Sequence, residues 1–327
     1  MHPVRFPAIL HGMERDTPIP PAAAAVVCDL RAAASAEKRE VLSRFFRTGP
    51  GEYGEGDRFL GVMVPQIRAI AKAHAGAPPE AEDALLAAPW HEARECGLFL
   101  MVGRHARAGA RERDAIHARY LAAAAAGHVD NWDLVDASAP ELVGVHLLDR
   151  PRGLLYGLVR RPSLWENRIA IVATLAFIRR GDLDDAFRLS EVLLGHPHDL
   201  IHKAVGWMLR ECGKRDPDRL RAFLAAHCGA MPRTTLRYAI ERFLPDERRR
   251  WLAAPAGPRQ GGMKRGAARS ESSPHHAGRA GLTGRRGGGR RSGARGCGGG
   301  GRGWSGRRGG WRRGGRGRGG WARDGLR

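Results

Sequence analysis

SLWENRIAIVATLAFIRRGD (Ser163–Asp182) reads as a complete helical unit. Ser163 and Glu166 form the S-x-x-E box that starts a helix, an apolar run follows, and Arg179-Arg180-Gly181 supplies a basic last turn with a glycine behind it. The same kind of opening recurs on both sides. HEAREC (His91–Cys96), WENRIA (Trp165–Ala170) and LIHKAVGW (Leu200–Trp207) each set a cation ahead of an apolar stretch. Arg168 and Lys203 are 35 residues apart, Arg94 and Arg168 are 74 apart, and NWDLVD (Asn131–Asp136) fills the step between. A period of roughly 35–40 residues with two helices per unit is the signature of a HEAT-like α-solenoid, whose concave face suits a long partner such as duplex DNA. The competing reading is an ordinary helical bundle with coincidental spacing.

The pattern extends over most of the chain. From Ala22 to Leu252 nearly every segment has helical period and β-branched alternation is scarce, which predicts an all-α fold. Ser138-Ala-Pro-Glu141 repeats the capping device and puts Pro140 near a first helical turn; Asp199 opens another helix that Gly213 is expected to close. The expected organisation is a flexible leader (1–21), a HEAT-like repeat domain (22–254) and a Gly/Arg-rich tail (255–327).

Charge divides the same way. The 327 residues carry a formal net charge of +21, but the last 73 hold 19 Lys+Arg against 2 Asp+Glu. The first 254 hold 36 against 32, a net of only +4. The tail also takes 26 of the 45 glycines, so it cannot bury enough apolar surface to fold and reads as disordered. Its arginines, interspersed with Trp304, Trp311 and Trp321, suit nucleic acid through charge and stacking. A frameshifted or read-through end in a GC-rich gene has the same composition, and both readings stand.

Several classes are excluded. No run of about 18 uncharged apolar residues is present, so no membrane helix is expected. The first residues lack a hydrophobic signal core, which argues against export. Cys28, Cys96, Cys212, Cys228 and Cys297 are scattered and without CxxC spacing, as in a reduced, cytoplasmic protein with incidental thiols.

Three tryptophans sit near helix openings with a charged neighbour on the same face: Trp132 with Asp136, Trp165 with Arg168, and Lys203 with Trp207. Stacked repeats would line these up as an aromatic and charged cleft, although a lone helical Trp is more often core. Asp130 and Asp133 are explained as first-turn acids. Asp136 is placed at the far end of its short helix, where the dipole disfavours a carboxylate, so a partner or a function must hold it. His196, His198 and His202 read as capping or solvated histidines rather than a metal site, and HEAREC is not an HExxH zinc motif. Gly49, Gly51, Gly54 and Gly56 have no strand before them and read as a turn between helices.

FFRTGPGEYGEGDRFLGVMVPQIRAIAK (Phe45–Lys72), NWDLVDASAPELVG, LWENRIAIVATLAFIRRGD, HDLIHKAVGWMLRECGKRD and MPRTTLRYAIERF (Met231–Phe243) together resemble the AlkD-like DNA alkylation repair enzymes, over about Ala22 to Leu252. The resemblance implies a curved stack of HEAT-like repeats acting as a DNA glycosylase on N3- and N7-alkylated purines, with no metal and no organic cofactor. Its W-D-x-V-D string falls on Trp132–Asp136, which makes Asp136 the catalytic carboxylate and Trp132 its aromatic partner. Its cleft arginine falls on Arg168 and its second cleft tryptophan on Trp207. The FLG-x-x-x-P-x-x-R string puts Arg68 near a phosphate, although Met63 and Val64 stand where some members are polar. Lys203 and Arg94 are the further DNA-binding candidates.

The chemistry agrees with these assignments. Alkylation at N3 or N7 makes a purine cationic and weakens its glycosidic bond, and a carboxylate near C1′ stabilises the oxocarbenium-like state and orients water. Indole faces favour the cation, and a neighbouring arginine or lysine grips the phosphate. The expected protein is a monomeric glycosylase acting on double-stranded DNA containing 3-methyladenine or 7-methylguanine, with little or no base flipping. The alternatives are a non-catalytic HEAT-repeat protein that binds damaged or branched DNA, and a scaffold for protein partners.

Overall fold

The structure is a computed structural model and describes residues 19–253. Among them the fold is all-α, with a single isolated bridge between Arg58 and Trp90. The helices are α1 (Pro21–Ala32), α2 (Ala36–Phe45), α3 (Val64–Ala73), α4 (Pro79–Leu86), α5 (His91–Arg107), α6 (Ala110–Ala125), α7 (Trp132–Ala139), α8 (Gly153–Leu158), α9 (Leu164–Ala173), α10 (Leu175–Arg179), α11 (Asp184–Leu193), α12 (Asp199–Arg215), α13 (Pro217–His227), α14 (Arg233–Ala239) and α15 (Pro245–Ala253). A π-helical turn, Pro140–Gly144, continues α7. None of them is long and apolar enough to cross a membrane.

One row of helices organises the rest. α3 packs on α5, α5 on α7, α7 on α9, α9 on α12 and α12 on α14, while α4, α8, α11 and α13 each back a neighbour in the row. From α5 onward the row helices begin at His91, Trp132, Leu164, Asp199 and Arg233, at steps of 41, 32, 35 and 34 residues. This is the packing order that stacked two-helix units require. The core falls into two clusters that share α5: Ala93, Cys96 and Leu100 face α1, α3 and α4, whereas Leu98 and Met101 face the longer cluster that runs on to α14.

Local signals account for many boundaries. Ser163 Oγ accepts from the Glu166 N–H, and Gly181 takes the left-handed conformation at φ 84° behind Arg180. His198 caps α12 by accepting the Leu200 N–H on Nδ1, as the capping reading of that histidine requires. Two expectations need correction. Ser138 is fully buried and caps nothing; its Oγ donates to the Leu134 carbonyl at 2.6 Å and lies 3.0 Å from the Tyr120 hydroxyl. The chain passes from α7 into the π turn without a break, with Val145 N–H on the Pro140 carbonyl at 2.8 Å. Pro140 has no N–H to give the Asp136 carbonyl, and the wider turn absorbs that loss. Gly213 likewise does not close α12, which runs to Arg215; its missing side chain makes room for Leu220 instead. Cys28, Cys96, Cys212 and Cys228 are free thiols. The leader up to residue 18 and the tail from residue 254, with Cys297 and its three tryptophans, lie outside the described residues.

Close approach between α12 and α14 rests on Gly206. A Cβ there would stand 2.5 Å from Tyr238 Cβ and 2.6 Å from the Thr235 carbonyl oxygen. Gly206→Ala is therefore expected to lower stability by about 2 kcal/mol despite its better helix propensity, read as a lower urea midpoint at unchanged slope.

Candidate active site

Asp136 and Arg168 meet between α7 and α9. Arg168 Nε donates to Asp136 Oδ1 at 2.9 Å and Nη2 to Oδ2 at 2.8 Å, a bidentate fork. Its remaining nitrogen, Nη1, donates to the Leu200 carbonyl in the first turn of α12 at 2.5 Å. One guanidinium thus ties three consecutive row helices. The Arg168 side chain is 5% exposed and that of Asp136 20%, so the pair is largely desolvated with part of the Asp136 side chain still open. Burial pushes the Asp136 carboxyl above the usual carboxylate range, and Arg168 works against that rise by favouring the charged form.

The aromatic residues are more committed than the sequence implies. Half-buried Trp132 stacks on Phe46 at 5.3 Å between ring centres and takes the edge of Phe45 at 5.9 Å. Phe46 stacks in turn on Phe59, and Phe59 on His91. The glycine loop between α2 and α3 carries Tyr53, which sets its ring edge-on to Trp165 at 6.4 Å and to His198 at 6.5 Å. Trp207 is half-buried two turns beyond Leu200 and lines an open pocket of about 420 Å³ with Leu175, Ile178, Arg179, Glu211, Lys214 and Arg215. That pocket has no residue in common with the Asp136–Arg168 pair.

The candidate cations fall in different surroundings. Arg68 is exposed on α3 with its guanidinium carbon 4.0 Å from the Phe99 ring centre, and pairs with no carboxylate among the described residues. Lys203 is 41% exposed and reaches Asp199 at 2.9 Å, an exposed pair of small worth. Arg94 is buried, with Nη2 at 2.8 Å from Asp57 Oδ1 and 3.1 Å from Asp130 Oδ1. Its charge is spent on carboxylates and offers nothing to a phosphate in this arrangement.

The residues that fix the loop went unseen in the sequence. Glu92, in the first turn of α5, accepts the N–H groups of Leu60, Gly61 and Val62 at 2.8–3.1 Å. Asp57 accepts from Arg94, from Asn131 Nδ2 at 3.0 Å and from His91 Nδ1 at 2.7 Å. His91 Nε2 lies 2.8 Å from Asp133 Oδ2 on α7. Burial alone would push His91 down, but Asp133 and Asp57 outweigh it and hold the ring as an imidazolium, raised to about 10. Glu95, one turn further on, is pushed up to about 7, first by burial and then by the charge on Asp133. The available signal was HEAREC, an acid-rich first turn with a histidine at its head. Without knowledge of what faces it, helix capping explains it equally well.

With this geometry, known proteins are informative. A family model described as DNA alkylation repair enzyme matches residues 26–243. A solved Enterococcus faecalis protein, described as a predicted DNA alkylation repair enzyme, is similar at a TM-score of 0.51 and 17% identity, over 65% of this chain and 97% of that one. At that identity the likeness speaks to fold alone. No curated protein matches the sequence.

Two consequences are measurable. Arg168→Gln leaves the Asp136 charge buried without its fork and is expected to cost about 3–5 kcal/mol in urea unfolding; an effect under about 1 kcal/mol would mark the pair as energetically idle. His91 has a folded pKa above its unfolded value, so its stabilisation is complete below about 6.5 and is lost as pH rises toward about 10. With chelator present, the stability gap between wild type and His91→Gln should narrow across that window, and a constant gap would contradict the imidazolium.

Proposed function

The chain belongs to the DNA alkylation repair enzyme family, and from that premise we propose that it is a DNA N-glycosylase that releases cationic N3- and N7-alkylated purines from duplex DNA. The observation that carries this reading is the bidentate Asp136–Arg168 pair, a largely buried carboxylate gripped at both oxygens by an arginine and still 20% exposed. Family membership supports a role in DNA repair; the bond cleaved and the bases released are our reading.

In this reading the alkylated base leaves with the electron pair of its C1′–N bond, which neutralises the ring and needs no proton from the protein. Positive charge develops on the sugar. Asp136 faces that charge and orients water toward C1′; the water proton passes to the carboxylate or to solvent as the new C–O bond forms. Arg168 keeps the carboxylate ionised and aimed until the sugar cation competes for it. Trp132, with Phe46 behind it, offers a rigid aromatic wall, and Trp207 lines a separate pocket on α12. Arg68 and Lys203 contact phosphates, while Arg94 serves the loop. We assign this work to a monomeric, cytoplasmic HEAT-like domain spanning residues 22–254, with the Gly/Arg-rich tail adding at most salt-sensitive affinity.

The test is single-turnover release of 3-methyladenine and 7-methylguanine from alkylated duplex DNA. Asp136→Asn is expected to slow release at least about a hundredfold. The wild-type rate should fall on the acid side at a pH above that of an ordinary carboxylate, because burial raises Asp136. Equal release by wild type and Asp136→Asn would remove Asp136 from the mechanism. DNA binding without release by wild type would leave the non-catalytic reading.

A further inference from the structure

Beside the Asp136–Arg168 pair lies a group of side chains that a proton satisfies only in part. His91, Glu95 and Asp133 each bring a ligand atom within 4.8 Å of the other two. His91 and Glu95 are i,i+4 on one face of α5, and Asp133 stands in the first turn of α7. His91 Nε2 and Asp133 Oδ2 satisfy each other at 2.8 Å, and Asp133 Oδ1 accepts the Leu134 N–H. Glu95 is left over. It is 3% exposed, points into the same space, and has neither a hydrogen bond nor an ion pair with any described residue. A buried carboxylate with no donor is a costly arrangement, and such groups are paired or coordinate metals.

We propose that His91 Nε2, a Glu95 carboxylate oxygen and an Asp133 carboxylate oxygen form a binding site for a divalent transition-metal ion. A proton meets the needs of two of these groups; a divalent cation meets those of all three. One imidazole with two carboxylates favours Mn²⁺, Fe²⁺ or Zn²⁺ over Mg²⁺ and Ca²⁺, which prefer all-oxygen shells. Ligand distances of about 2.1 Å place neighbouring ligand atoms about 3–4 Å apart, so small side-chain rotations close the site. The outer residues also fit. Asp57 accepts from His91 Nδ1 at 2.7 Å and is fixed by Arg94 and Asn131, the carboxylate–histidine arrangement that sets the tautomer of a metal-bound imidazole. The Asp133 side chain, 14% exposed, gives the ion its way in and leaves room for water.

Binding exchanges one cation for another. The proton shared by His91 Nε2 and Asp133 goes to solvent, Nδ1–H stays on Asp57, and no bond to carbon changes. The ion joins α5 to the first turn of α7, three residues ahead of Asp136. It positions that helix and takes no part in bond cleavage, so the site stands or falls independently of the glycosylase reading.

The experiment uses the full-length chain, stripped with EDTA and desalted, titrated separately with MnCl₂ and ZnCl₂ by calorimetry and followed by thermal unfolding. At least one metal is expected to fill one saturable site that raises Tm, and Glu95→Gln should weaken that site about 10–100-fold and abolish the Tm rise. Glu95→Gln replaces an unpartnered carboxylate with a neutral amide, so the metal-free variant should fold with a Tm at or above that of wild type. Binding that survives Glu95→Gln unchanged belongs to other residues of the chain and overturns the proposal. So does the absence of saturable binding of both metals by wild type.

Discussion

Arg168 has to satisfy two neighbours at once: both oxygens of Asp136 on α7 and the Leu200 carbonyl on α12. A guanidinium with a 5% exposed side chain tolerates no loose end, so its planar fork fixes how α7, α9 and α12 stand relative to one another. Lysine carries the same charge without the geometry, and could not hold two carboxylate oxygens and a carbonyl in one plane. The pair is therefore a structural joint between row helices, and in the proposed reading it also supplies the carboxylate for the chemistry. The 20% exposure of Asp136 is what separates it from a fully buried structural pair.

A second set of buried charges does for the loop what Arg168 does for the helices. Phe46, Phe59, Leu60 and Val62 anchor the ends of the loop, but residues 47–58 between them have little apolar content to hold them down, and three glycines in the left-handed region, Gly51, Gly56 and Gly61, make the path possible without making it stable. Stability comes from α5. Glu92 collects three backbone N–H groups, and His91 and Arg94 grip Asp57. The loop in turn sets Phe46 behind Trp132 and Tyr53 against Trp165 and His198. Trp132 and Asp136 thus share α7, while Phe46, the ring that backs Trp132, comes from the loop. Nothing in this plan needs the +17 carried by the tail.

What could be read from the sequence was what is local or periodic. The Ser163 cap, the Gly181 stop and the 35-residue step from Arg168 to Lys203 depend on neighbours within a few residues or on a repeat, and they gave the all-α series directly. Asp136 was singled out because a carboxylate late in a short helix needs a partner. That partner is Arg168, and the helical path runs on past Asp136 to Ala139 and into the π turn. The misjudged residues depend on contacts distant in the chain. Ser138 has the sequence context of a cap, but Tyr120, 18 residues away, turns it into a buried hydrogen-bond partner. Arg94 has the spacing of a surface cation, but Asp57, 37 residues earlier, claims its charge. Nor does any local rule pair His91 with Asp57 and Asp133, whereas three-dimensional proximity makes the pairing evident.

The central claim is that Arg168 and Asp136 act as one unit, the arginine holding the carboxylate that faces the sugar cation. A double-mutant cycle on single-turnover release of 7-methylguanine, with Asp136→Asn, Arg168→Gln and the double variant, tests it most directly. The account predicts strong non-additivity, the double variant being about as slow as Asp136→Asn alone, because an arginine with no carboxylate to hold contributes little more. Rate losses that simply multiply would contradict it, since they would give the two residues separate tasks.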